Sequence, residues 1–141
     1  MIIADTNVVS EFMRDEPDEN VLGWATSLGP GKLAICVVTV AEIERGLARL
    51  PEGRRRTELG KRWAALLDEY AELIAVYDVP AARATAEILV DGDRRGRPMG
   101  LADAQIAGIC VAQHVQLATR NVRDFDDIRG LVVVNPFLRD A

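Results

Sequence analysis

The spacing of apolar residues changes repeatedly along the chain. Ile2, Ile3 and Ala4 form an unbroken apolar run, which predicts a short strand covered on both faces, and Asp5 follows at its carboxyl end. Residues 6–13 and 18–28 carry helical spacing, with RDEP as the break between them. The turn GPGK leads into a second strand over 33–38. TVAEIERGLARL then reads as an amphipathic helix, and PEG separates it from a long helix running to about Leu73. IAVYDV predicts a third strand, and Pro80 opens a helix that fades into GDRRGRPMG. LADAQIAGICVAQH gives one more helix, QLATR a fourth strand and LVVV a fifth. Strands alternating with helices predict an α/β sandwich around a mostly parallel sheet, as one domain over residues 1–141.

Composition narrows this picture. Hydrophobic residues make up 49% of the chain but aromatics only 5%, so Ala, Val, Ile and Leu must build the core. No apolar run approaches the ~20 residues that span a bilayer, and no signal peptide is expected. Cys36 and Cys110 both lie in apolar stretches and read as buried thiols, which suits a reducing cytoplasm. Two cysteines and a single histidine argue against zinc.

A net charge of −5 argues at first against a nucleic-acid partner. Its distribution matters more. Lys32 and Lys61 are the only lysines among 17 basic residues, and the rest are arginines, which suit bidentate phosphate contacts. Two runs stand out, GRRR at 53–56 and RRGR at 94–97. Either run can be a solvated surface. Arg94, Arg95 and Arg97 are the candidates for nucleic-acid contact.

The acids carry the chemistry. Helices of such a sandwich run antiparallel to its strands, so helix starts and strand ends share one edge, where open α/β sheets build their sites. Asp5 ends the first strand, Glu42 and Asp103 fall in the first turns of two helices, and Asp124 follows the fourth strand. Each has a local explanation. Asp5 can cap a helix, Thr39 with Glu42 matches a capping box, Asn121 with Asp124 repeats that spacing, and Asp103 suits a helix dipole. Four carboxylates at one edge repel one another, however, and that cost calls for a cation. Oxygen donors without histidine or cysteine point to Mg²⁺ or Mn²⁺.

With MIIADTNVVSEF, VVTVAEIERGL, GLADAQIAGICVAQH and LATRNVRDF…VVNPF in order, the chain resembles PIN-domain ribonucleases of the VapC toxin type from Ile2 to Phe137. The resemblance implies a three-layer α/β/α sandwich with strand order 3-2-1-4-5. It implies a Mg²⁺-dependent endoribonuclease, held inactive by a cognate VapB-type antitoxin and usually paired as a homodimer. It makes Asp5, Glu42 and Asp103 the central acids and Asp124 the more variable fourth. Thr6 would orient the first acid or a metal-bound water, and Asn121 would brace the carboxylates from behind.

Three rivals fit less well. A receiver domain needs a lysine at a late strand end, and neither Lys32 nor Lys61 is near one. A haloacid-dehalogenase-type phosphatase needs a second Asp where Asn7 stands. A non-catalytic RNA-binding or adaptor domain of the same fold is the alternative, and it gains nothing from four intact acids.

Overall fold

A computed structural model describes residues 1–138, so the last three residues of the expected domain lie outside the described ones. Five strands form one sheet, β1 (Ile2–Ala4), β2 (Leu33–Cys36), β3 (Ile74–Ala75), β4 (Gln116–Ala118) and β5 (Val133–Val134). Their order is β3-β2-β1-β4-β5, and every pairing is parallel, so the sheet is wholly rather than mostly so. Six helices accompany it: α1 (Thr6–Glu11), α2 (Glu19–Leu28), α3 (Val37–Arg49), α4 (Arg54–Glu69), α5 (Val79–Arg94) and α6 (Leu101–Gln113).

The period of two along each strand divides the core. Ile3, Ala34, Cys36 and Leu117 pack on one face with Ile88, Ile106, Ile109 and Phe125. Ala4, Leu33, Ile35 and Ala118 pack on the other with Val8, Val9, Ile43 and Trp63. Helices α5 and α6 cover the first face and α1 to α4 the second, giving three layers. Both thiols are buried and unbonded. Among the described residues, no helix is long and apolar enough to cross a membrane.

Several boundaries differ from the sequence reading, each for a local reason. The third strand keeps only Ile74 and Ala75, because Asp78 turns away to cap α5, accepting the Ala81 N–H at 3.0 Å. The long helix stops at Glu69, and a single 3-10 turn over Ala71–Leu73 carries the chain into β3. Helix α3 begins at Val37, two residues before the expected Thr39, with Cys36 at the cap. Thr39 therefore lies inside the helix and no capping box forms. Glu42 sits in the second turn rather than the first.

The end of α5 is sharper than the sequence suggested. The Arg97 N–H donates to the Gly92 carbonyl and the Gly96 N–H to the Asp93 carbonyl, while Gly96 takes φ +69°. This is a Schellman turn, and Pro98 follows it. Gly92 permits it, since a Cβ there would stand 2.8 Å from the Arg97 carbonyl oxygen. Helix α5 also packs closely on α6. A Cβ at Gly108 would lie 2.8 Å from the carbonyl oxygen of Ala81.

Candidate active site

Asp5 occupies the end of the central strand and is only 4% exposed. Its Oδ1 caps α1 by accepting the Thr6 N–H at 2.8 Å. Its Oδ2 accepts the Thr119 hydroxyl at 2.7 Å and the Asn7 amide at 3.3 Å. One oxygen of Asp5 thus serves as the helix cap, and the other is held by the neighbouring strand end. Burial raises the pKa of this carboxyl, the hydrogen bonds from Thr119 and Thr6 oppose the rise, and the charge of Glu42 adds to it.

The parallel register explains the Thr119 contact. Ala4 pairs with Ala118, so the next residue of each strand, Asp5 and Thr119, emerges side by side at the same edge. The Asp5 N–H completes the join by donating to the Ala118 carbonyl at 2.8 Å. Asn7 stitches the two strand ends together. Its amide also donates to Thr119 Oγ1 at 3.2 Å, and its carbonyl oxygen accepts the Arg120 N–H at 3.1 Å. Asn121 braces the acid through its backbone, whose N–H donates to Thr119 Oγ1 at 3.1 Å, while its side chain caps nothing. Thr119 and Asn7 are the partners of Asp5 that sequence reasoning did not single out.

Glu42 reaches the same edge from α3 and accepts the Thr6 hydroxyl at 2.7 Å. The Thr6 oxygen also lies 3.1 Å from the Thr39 hydroxyl, which in turn contacts the Cys36 thiol at 3.7 Å. Thr6 accordingly touches both acids, Asp5 through its backbone and Glu42 through its side chain. Thr39, fully buried, supports Thr6 from below instead of capping α3.

Asp103 enters from the first turn of α6 and Asp124 from a 3-10 turn over Val122–Asp124. Neither carboxyl accepts a hydrogen bond from any described residue. The pKa of Asp103 is raised to about 6, chiefly by burial and then by the charges of Asp5, Glu42 and Asp124. All four predicted acids therefore share one electrostatic field. A cavity of about 460 Å³ flanks them, with Asp103, Asp124 and Met99 in its wall and Asp5 and Glu42 outside it.

The arginine run meets this wall, but not as an open cationic patch. Arg97 donates to the Asp127 carboxylate at 2.8 Å, and Arg95 pairs with Asp91 at 3.1 Å. Arg94 stands exposed at the end of α5. In the other run, Arg54 pairs with Glu58 along the exposed start of α4.

The donor chemistry fits a hard divalent cation. It is all oxygen, and the mutual repulsion at Asp103 is what such an ion would relieve. Among the described residues, no three acids converge into a ready-made cage for one ion.

Known proteins match this arrangement along its length. The PIN domain family profile covers residues 2–131. A VapC ribonuclease of Sinorhizobium fredii is 36% identical over 138 residues, spanning 97% of this chain and 98% of that one. Toxin FitB of Neisseria gonorrhoeae is 33% identical over 97% of this chain and 99% of its own. A solved structure of FitAB bound to a DNA fragment superposes with a TM-score of 0.89 at 31% identity, covering 100% of this chain and 99% of that one. The five-stranded parallel sheet, the acid-lined edge and these matches agree: the chain belongs to the PIN-domain family, among its VapC-type members.

Proposed function

We propose that this chain is the toxin of a toxin–antitoxin pair, a Mg²⁺-dependent endoribonuclease that hydrolyses RNA and is silenced by a VapB-type antitoxin. The observation that carries the reading is the meeting of Asp5, Glu42, Asp103 and Asp124 at one sheet edge, where burial first and then the charges of the other three lift Asp103 to about 6. A non-catalytic RNA-binding domain would bear this repulsion for no return. Similarity to a VapC ribonuclease and to toxin FitB supports nuclease and toxin, and similarity to FitB within FitAB supports a dedicated partner.

Asp5 and Asp103 would hold the ion, with Glu42 and Asp124 assisting through water or a second ion. A bound Mg²⁺ supplies a water of lowered pKa and polarises a phosphoryl oxygen. The protein's own groups do the rest. Thr6 and Thr119 hold Asp5 in one rotamer, so the acid is oriented before substrate arrives. Glu42 or Asp124, the latter hydrogen-bonded by no described residue, would orient or deprotonate the attacking water. Attack by water rather than by a ribose hydroxyl leaves a 5′-phosphate and a 3′-hydroxyl. Among the described residues Arg94 pairs with no carboxylate, which leaves its charge for an RNA phosphate. Action in the cytoplasm and pairing as a homodimer belong to the same proposal.

Purified protein should cut RNA with Mg²⁺ or Mn²⁺ and stop in EDTA. Asp5→Asn should lower cleavage by about 10²–10³-fold while the protein still folds. Undiminished cutting in EDTA, or by Asp5→Asn, rejects the scheme.

A further inference from the structure

Asp124 stands on a three-residue turn, and a turn that short does not hold its own position. Before it, the chain is fixed by the Arg120 and Asn121 amides on Asn7 and Thr119. After it, Phe125 is buried at 1% exposure. Between these anchors, the carbonyl of Arg123 belongs to the same peptide as the Asp124 N–H. That carbonyl accepts a hydrogen bond from Arg97 at 2.8 Å, while the other arm of the same guanidinium holds Asp127 at 2.8 Å. Arg95 adds a hydrogen bond to the Asp127 carbonyl at 3.3 Å.

We propose that Arg97 is a positioning residue for Asp124: the Schellman turn ending α5 delivers its guanidinium to the Arg123 carbonyl and the Asp127 carboxylate, locking the peptide on which Asp124 stands. The planar fork suits this task because its donors diverge at fixed angles, one toward a backbone oxygen and one toward a charge. The same linker, residues 95–100, also delivers the first turn of α6 and hence Asp103. One connection therefore sets two of the four acids. Arg97, its side chain 54% exposed, is on this reading engaged by the protein rather than by RNA.

The inference rests on the nuclease reading for its catalytic arm but not for its structural arm. In the metal-free full-length protein, Arg97→Gln should speed hydrogen exchange of the Asp124 and Phe125 amides by about tenfold, leaving the amides of β1 and α6 unchanged. Those two amides donate to the Asn121 and Val122 carbonyls and report the turn directly. In RNA cleavage, Arg97→Gln should lower kcat and leave KM within about twofold. Combined with Asp124→Asn it should cost no more than Asp124→Asn alone, because both act through one carboxylate. Unchanged exchange, unchanged kcat or additive losses would overturn the proposal. So would a raised KM with a flatter salt dependence, which would make Arg97 a phosphate contact. If the wild-type protein fails to cut RNA, the nuclease reading falls and the exchange measurement still judges Arg97.

Discussion

Asp5 and Asp103 face the same edge of the sheet and are held in opposite ways. Asp5 is almost wholly buried, yet three donors from Thr6, Asn7 and Thr119 surround it. Asp103 is less buried, accepts no hydrogen bond from a described residue, and is the acid pushed to about 6. Burial alone would rank them the other way. Donors aimed at a carboxylate replace the water it has lost; without them the cost of burial stands unopposed and charged neighbours add to it. The edge thus pairs a carboxylate held by three donors with one that no described residue hydrogen-bonds.

The largest test of this contrast is a difference in sign. Asp5→Ala should destabilise the metal-free protein by about 2–4 kcal/mol, since it removes a helix cap and strands the buried Thr119 hydroxyl. Chemical denaturation in EDTA measures it, and a neutral result would make Asp5 no better braced than Asp103. Thr119→Val asks the same question more gently. It keeps the shape and deletes one donor, so it should cost about 1–2 kcal/mol and raise the Asp5 pKa further.

Asp103→Asn should act in the opposite direction, raising metal-free stability by on the order of 1 kcal/mol at neutral pH after allowance for solvent screening. It should also shrink the stabilisation conferred by Mg²⁺. The pH dependence gives the sign independently. The folded pKa lies above the unfolded value, so the folded state binds the extra proton between about 4 and 6. Stability from this group is full below that window and falls as pH rises through it. Melts from pH 4 to 7 in EDTA should show the fall in the wild-type protein and lose it in Asp103→Asn. A variant that is less stable and keeps the full Mg²⁺ shift would return Asp103 to a plain helix-dipole role.

The contrast also marks what the sequence can and cannot reveal. The apolar run before Asp5, the helical spacing around Asp103 and the alternation of elements are local patterns, and they placed all four acids at the correct edge. The donors to Asp5 are not local. Thr119 in LATRN looks like any turn residue until Ala4 is registered against Ala118, a pairing across 114 positions of chain. The T-x-x-E spacing of Thr39 and Glu42 misled for a related reason. Cys36 ends its strand buried and the helix starts directly behind it, so Thr39 is drawn inward to Thr6 instead of standing at the cap. The RRGR run announced positive charge, but nothing nearby showed that Asp127 and the Arg123 carbonyl, some thirty residues on, would absorb Arg97.

The strand order has a consequence for synthesis. Strand β1 leaves the ribosome first and takes the centre of the sheet, yet one of its two neighbours, β4, is among the last segments made. A nascent chain that ends at residue 115 already contains Asp5, Glu42 and Asp103. It lacks Thr119, the closing strand beside Asp5, and the turn that carries Asp124. Its central strand has one open edge, and its first acid has lost its strongest donor. In a chain built this way the sheet cannot close beside Asp5, nor can Asp124 reach that edge, until the segment after residue 115 docks.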